Sequence, residues 1–236
     1  MRIGISGAHG TGKTTLAEAL CAQLPGHVTA DEPYYLLEEE GHEFAFPPSL
    51  DDYRVQLARS LRTLSQPPAR PEIVFDRTPL DYLAYLAAAG ADPEREADAP
   101  AVRSALATLD LLVVTVITPE TERLLPTPDM PRLRSAMNDA LLNLVYADPF
   151  DAWGDVPLLE LNGPLDARPA ASTSPITSWT RQSSGSKPGS PGRFLISMFT
   201  VSPRQASRTG GSRGTASGSS PAVSSQMGPT PAMTGS

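Results

Sequence analysis

Apolar residues along this chain fall into two kinds of run that alternate. Short, nearly continuous runs occupy Arg2–Ser6, Val28–Asp31, Ile73–Asp76, Leu111–Ile117 and Pro157–Leu161. They are bounded by Gly, Pro or charged residues, the pattern of strands buried on both faces. The stretches between them have helical spacing. Leu16, Ala17, Leu20, Cys21 and Leu24 share one face and stop at Pro25-Gly26. Leu50, Tyr53, Leu57, Leu61 and Leu64 form a second stripe behind the cap residue Ser49. Thr78-Pro79-Leu80-Asp81 reads as a capped helix start running to about Ala89, and a short helix is expected near Val102–Ala107. Leu133, Met137, Leu141 and Leu144 predict a last helix over about 131–145. Tyr34–Pro48 reads as irregular, 66–71 as a linker, 91–100 as a polar loop and 148–155 as a turn-rich connection. Alternation of strand and helix predicts an α/β fold, with a mostly parallel five-stranded sheet between helical layers.

The pattern stops near position 168. All 26 acidic residues precede position 170, and beyond it Leu195 is the only leucine in a run of Ser, Gly, Thr and Pro. Thirteen of the 19 basic residues also lie before that point, so the first part carries about −13 and the remainder +6. Two regions are therefore expected: a folded domain over 1–168 and a low-complexity, disordered tail over 169–236. After the fifth strand a further helix is needed to cover the sheet, and Pro169 blocks its continuation. Under-covered sheet is expected in consequence. The abrupt switch also fits a shifted reading frame near position 170, which resequencing to an intact frame would exclude. Within the tail, Phe194–Val201 is the one apolar patch and is free to pack where that helix is missing.

Charge and composition narrow the function. An acidic domain does not suit nonspecific nucleic-acid binding, which draws on basic patches. One cysteine, Cys21, and three histidines without ligand spacing give no disulfide or Cys/His metal site. A strand beginning at the second residue leaves no place for a signal peptide, and no apolar run is long enough to span a membrane. A cytoplasmic protein is the expectation.

The stretch Gly7-Ala8-His9-Gly10-Thr11-Gly12-Lys13-Thr14-Thr15 fits G-x-x-x-x-G-K-[ST] and lies between a strand and a helix, the context this motif requires. It predicts a P-loop NTPase sandwich that binds ATP and Mg²⁺. Glycines allow successive backbone N–H groups to face a phosphate chain, and the helix adds unpaired N–H groups and the positive end of its dipole. Lys13 is expected on the β- and γ-phosphates and Thr14 on Mg²⁺. Asp76, at the carboxyl end of the third strand, is the second expected metal residue, with Arg77 beside it.

Glu32 (or Asp31) ends the second strand on the ligand-binding edge of such a sheet and is a candidate base for an acceptor hydroxyl. A solvated acidic turn is the plain alternative. Tyr34, Tyr35, Phe44 and Phe46 either stack on a base or sugar or pack as a lid. Gln56 can meet a base edge if its helix borders the pocket. Arg123, Arg132 and Arg134 lie between the fourth strand and the next helix, where an arginine can close over transferring phosphate.

Gly7–Leu16 together with Phe75-Asp76-Arg77-Thr78-Pro79-Leu80-Asp81-Tyr82 resembles the bacterial P-loop AAA-domain ATPase/kinase proteins. Those are similar to the ribosylnicotinamide kinase domain of NAD-synthesis regulators. Glu32-Pro33, Asp76-Arg77 and Arg132 or Arg134 also follow the motif order of deoxynucleoside kinases. The resemblance covers residues 1 to about 168. It implies a kinase acting on a small nucleoside-like acceptor, with Lys13, Glu32, Asp76 and a lid arginine in the chemistry, and Glu32, Gln56 and Arg77 on the acceptor. An ATPase or a nucleotide-binding switch is the rival reading. No Asp-Glu pair ends the third strand, so a ring motor is not implied.

Overall fold

A computed structural model of the chain describes residues 1–67, 72–152, 156–162 and 195–198. Six parallel strands, β1 (Arg2–Gly7), β2 (Val28–Ala30), β3 (Ile73–Asp76), β4 (Leu111–Thr115), β5 (Leu158–Leu161) and β6 (Leu195–Met198), form one sheet in the order β2-β3-β1-β4-β5-β6. The five expected strands are all present. β6 comes from the apolar patch of the expected tail and pairs with β5 in the register Leu158 to Leu195 through Leu161 to Met198. The rest of 169–236, with its expected disorder, lies outside the described residues. The chain divides into Met1–Val201 and Ser202–Ser236, and the second unit is wholly outside them.

Eight helices are described. α1 (Lys13–Gln23) packs on one face of the sheet, where Leu16, Ala17 and Leu20 meet Ile3, Ile5, Val74, Val113 and Leu159. The other face carries the larger core. There Phe75, Leu112, Val114 and Leu158 meet α3 (Leu50–Ser65), α4 (Pro79–Ala88), α6 (Ala99–Leu106) and α8 (Pro131–Ala147). Alternate strand residues thus feed opposite cores, as the pleat requires. Leu159 and Leu161 on the α1 face are 2% and 1% exposed, so the bare sheet expected from the missing helix is not found at these positions.

Three short helices occupy stretches in which no helix was expected. α2 (Pro33–Glu39) occupies the segment read as irregular, with Pro33 in its first turn. α5 (Pro93–Glu96) and the start of α6 occupy the 91–100 loop, capped by Asp92 and Asp98. α7 (Pro119–Glu122) follows β4 behind the cap Thr118. All begin with proline after a residue in extended geometry. A proline ends the preceding strand and also supplies the preset φ of a helix's first turn, and only its first role was expected at Pro33.

Crossovers place all ligand-side residues at the carboxyl ends of the strands. β1 is central, flanked by β3 and β4, so the loop leaving β1 emerges beside Asp76 and Thr115.

Candidate active site

The loop after β1 is held from below. Gly7 sits so close to β4 that a Cβ there would lie 1.9 Å from Thr115 Oγ1 and 2.9 Å from the Thr115 carbonyl. Thr11 Oγ1 donates to the Ala8 carbonyl at 2.8 Å and shares a 2.9 Å hydrogen bond with Thr115 Oγ1. Gly10 and Gly12 have φ of 74° and 76°, a region that side chains disfavour. Gly12 is the N-cap of α1 and brings no side chain to its N–H groups, and the first turn holds no acid. That leaves the positive end of α1 open to an anion.

Lys13 is 5% exposed and donates to the Ala8 carbonyl at 2.9 Å. Burial first, and the nearby Arg77 second, push its ammonium down to about 8, against the pull of Asp81, Asp76 and Glu32. A buried lysine bound to a single loop carbonyl is a cation ready for a stronger partner. Thr14 lies one residue on, exposed, and its hydroxyl donates to Asp76 Oδ2 at 2.5 Å. Asp76 Oδ1 is buried with no hydrogen-bond partner. A threonine hydroxyl against a carboxylate with a spare oxygen is a hard, oxygen-only donor set that fits Mg²⁺ completed by water and phosphate. Among the described residues no group of three His, Cys, Asp or Glu side chains offers an all-protein metal cage, and Mg²⁺ does not require one.

A cavity of about 340 Å³ runs along this loop, lined by Gly10, Gly12, Lys13, Thr14, Asp76 and Pro126 among others. A second cavity of about 370 Å³ is walled by Tyr34, Phe44, Phe46, Tyr53, Tyr82 and Tyr85, with Gln56, His9, Asp129, Met130 and Leu133. Glu32 and Arg77 line both. Arg77 Nε donates to Glu32 Oε1, and its guanidinium lies 5.6 Å from the Tyr85 ring centre. Burial opposes the Arg77 charge, yet Tyr85 and Glu32 outweigh it and hold the group well above its ordinary value. The Arg77 backbone is itself unusual, with φ of 79°. Its N–H bonds the Ile5 carbonyl at 2.9 Å, which clamps this left-handed residue to β1.

Below the pair lies Asp81, fully buried in the first turn of α4. It accepts from the Gly7 and Thr78 amides, both at 2.9 Å, and lies 3.6 Å from Arg77 Nη1. Burial raises its carboxyl, and Arg77 and Lys13 act against that rise. Asp81 therefore ties the first glycine of the phosphate loop to the arginine that holds Glu32. Sequence reading assigned Asp81 only a capping role. Its spacing from Thr78 showed the capping box but not the contact to Gly7, which arises from the β1–β3 pairing.

The aromatic wall is also built rigidly. Tyr53 and Tyr85 stack at 5.0 Å with rings 3° from parallel, and His9 Nδ1 shares a 3.1 Å hydrogen bond with the Tyr85 hydroxyl. Tyr34 and Phe44 stack at 4.4 Å. Asp52 accepts from Ser49 and from the Ala45 amide, and its other oxygen meets His42, so the 42–49 segment is pinned to α3. Gln56 borders this cavity, the condition set for its contact with a base edge, and its amide donates to the Asp52 carbonyl at 2.9 Å.

The remaining assignments separate cleanly. Glu32 comes to the site, while Asp31 is exposed and outside both cavities. Arg134 is 2% exposed, and its Nη1 would lie 3.2 Å from a Cβ on Gly10. It donates to Glu122 at 2.5 Å and to the Pro126 carbonyl at 2.9 Å. Arg132, two residues earlier on α8, is exposed and lines a different cavity with Pro47, Pro48 and Ala89, and Arg123 is exposed on the surface after α7. Of the three arginines, Arg134 is the one at the phosphate loop, and Arg132, two residues earlier, is turned to a different face of α8.

A family model described as an AAA domain matches residues 2–150, most of the described chain. The chain belongs to this AAA-domain family. A comparison with curated protein sequences gives no match. Among solved structures, the AAA-domain chain is similar to a NadR protein in complex with NR at 19% identity and a TM-score of 0.52, and to a NadR protein in complex with NAD and AMP-PNP at 20% and 0.51. Both alignments cover 76% of this chain and 49% of the NadR chain, so the match spans about half of NadR. It is also similar to thymidylate kinase from Candida albicans at 14% identity and a TM-score of 0.50, covering 76% of this chain and 92% of that one. At these identities the likeness establishes the P-loop sandwich, which agrees with the sheet order found here. No described helix is long and apolar enough to cross a membrane.

Proposed function

We propose that this AAA-domain protein is an ATP-dependent kinase that transfers the γ-phosphoryl group to a hydroxyl of a small, nucleoside-like acceptor. The observation that carries this reading is the Glu32–Arg77 pair, which lines both the phosphate-loop cavity and the aromatic cavity. A hydrolase needs only the first cavity. A second one, walled by aromatic rings and meeting the first at a carboxylate, is what an acceptor requires.

The residues divide the work. Gly7 to Thr15 and the open end of α1 bind the triphosphate, with Lys13 exchanging the Ala8 carbonyl for phosphate oxygens. Thr14 and Asp76 would hold Mg²⁺, which would neutralise charge on the phosphates. Arg77 takes one oxygen of Glu32 and fixes the carboxylate at the junction, leaving the other oxygen for the acceptor hydroxyl. As that hydroxyl attacks, its oxygen forms a bond to the γ-phosphorus and the bond to the β,γ-bridging oxygen breaks. The hydroxyl proton passes to Glu32. Arg134, beside Gly10, supplies positive charge from the lid side. Tyr34, Phe44, Tyr53 and Gln56 bind the acceptor ring. Most of the rate comes from positioning and electrostatics.

The test is γ-phosphate transfer by the full chain from labelled ATP to nucleosides, nucleotides and ribosylnicotinamide. A labelled acceptor lost in both Lys13→Ala and Glu32→Gln is the expected result. Free phosphate without a labelled acceptor, unchanged by Glu32→Gln, would instead mark an ATPase.

A further inference from the structure

Two residues that line the aromatic cavity each carry a buried polar atom without a hydrogen-bond partner. Tyr82 is 1% exposed, and its hydroxyl is buried without a hydrogen-bond partner. Arg77 Nη1 is likewise buried and unbonded, lying 3.6 Å from Asp81 Oδ1 and so beyond hydrogen-bond reach. Both residues line the cavity with Glu32 and Gln56. A buried phenol hydroxyl without a hydrogen bond is unfavourable, and replacing it by phenylalanine would cost the fold little. Such an atom in a cavity wall marks where a ligand completes the bonding.

The charges around the cavity restrict that ligand. Its one lining cation among the described residues is Arg77, already bonded to Glu32 and near Asp81. His9 is neutral at pH 7, since burial, then Arg77, Lys13 and Arg134, push its imidazole down to about 4. The other ionisable carboxylates in the wall are Glu32 and Asp129. Among the described lining residues the charge of Arg77 is already met by Glu32, and desolvating a phosphate dianion beside two carboxylates is costly.

We propose that Tyr82 is a specificity-determining residue: its hydroxyl bonds a second, uncharged polar group of the acceptor, a hydroxyl or carbonyl, so that the cavity selects a ring-bearing alcohol free of phosphate. This rests on the kinase reading above for which cavity holds the acceptor. Sites built to bond a substrate hydroxyl reject the analogue lacking it far more strongly than apolar pockets reject a lost methylene. Tyr82→Phe removes one oxygen from a packed ring, so the fold is preserved.

The experiment is a cycle on the full chain: wild type and Tyr82→Phe, each with an acceptor found in the transfer panel, its single-deoxy analogues and its monophosphate. Thermal shifts with the same ligands are recorded alongside. Wild type should lose roughly tenfold or more in kcat/KM for one deoxy analogue. Tyr82→Phe should compress that ratio to near unity, with the KM for ATP unchanged and the monophosphate inert in both. Transfer that occurs with the discrimination intact in Tyr82→Phe, or with the monophosphate used as well as its parent, overturns the proposal and leaves the kinase reading standing. If no acceptor is phosphorylated, a hydroxyl-dependent thermal shift that vanishes in Tyr82→Phe upholds the Tyr82 site and removes the kinase reading. Absence of both transfer and binding across the panel removes both.

Discussion

The Thr14 hydroxyl donates to Asp76 Oδ2 at 2.5 Å, while Asp76 Oδ1 beside it is buried and unbonded. The two side chains come from different elements, the first turn of α1 and the end of β3, and meet because β1 and β3 pair in parallel. An unbonded buried carboxylate oxygen costs free energy in the resting protein and is repaid by a cation or its water. Asp76→Asn should therefore abolish the dependence of ATP affinity on Mg²⁺ and lower transfer by roughly 10²–10³-fold, the scale of losing one electrostatic group at a reacting phosphate. Titration calorimetry with and without Mg²⁺ checks this. An Asn variant that still gains affinity with Mg²⁺ as wild type does would remove Asp76 from the metal site.

Lys13 gives a prediction whose sign depends on pH. Its ammonium sits at about 8 in the folded chain against an ordinary 10.5, chiefly through burial. Between those values the unfolded chain binds a proton that the folded chain does not, so stability rises with pH across that window. Below about 8 the burial penalty is present in full, worth at most roughly 3 kcal/mol. Lys13→Met should accordingly raise the melting temperature of the nucleotide-free protein at pH 7, with the gain shrinking towards pH 10. The Ala8 carbonyl stays satisfied by Thr11. The same variant loses nucleotide binding. In wild type, ATP affinity should fall as pH rises through about 8, since phosphates need the charged amine. Melting curves and affinities across pH 6–10 carry both tests.

Gly7 is constrained from outside its own loop. A methyl there meets both the side chain and the carbonyl of Thr115, at 1.9 Å and 2.9 Å. The carbonyl belongs to a central strand and has nowhere to move. Gly7→Ala should destabilise the fold by about 3 kcal/mol or more, in the range of overpacked cores. The double change Gly7→Ala with Thr115→Ala relieves only the side-chain clash, so rescue in urea melts should be partial. Full rescue would mean that the hydroxyl, and not strand spacing, fixes the glycine.

How far the chain announces this arrangement can be judged residue by residue. β3 and β4 were legible because Val74-Phe75 and Leu111–Val114 are apolar on both faces, which a central parallel strand needs, and β1 because the short run with Ile3 and Ile5 leads directly into the phosphate loop. The phosphate loop was legible because glycines, lysine and threonine carry out their function locally. Glu32, Gln56 and Arg77 reach one site through chain separations that spacing alone does not close, and motif order pointed to them. Asp81, Tyr82 and Tyr85 were invisible as site residues. They lie on one buried helix, where local pattern registers only capping and core packing, and their partners Gly7, Arg77 and His9 come from other elements. α2 was missed because Pro33 was read as the end of β2 and not also as the start of a helix. β6 was missed because a four-residue strand in a Ser/Gly-rich stretch has no period to detect.

Arg132 and Arg134 are adjacent in motif terms and opposite in structure, which makes them a matched pair. Arg134 is buried beside Gly10, held by Glu122 and the Pro126 carbonyl, whereas Arg132 is exposed on the wall of a separate cavity. A buried guanidinium whose carboxylate partner, Glu122, is itself 45% exposed can trade that partner for a phosphate at little structural loss. Arg134→Lys keeps the charge but loses the planar fork that bonds Glu122 and Pro126 together. Transfer should fall roughly 10²-fold in Arg134→Ala, less in Arg134→Lys, and stay within about twofold in Arg132→Ala. The loss should lie in kcat more than in the KM for ATP, because charge on the transferring group is what the arginine meets. Steady-state kinetics on the three variants decides it, with circular dichroism confirming the fold. Equal losses at Arg132 and Arg134 would point to a lid that closes as a unit over both cavities, and no loss at Arg134 would reduce it to a clasp holding α8 to the segment after α7.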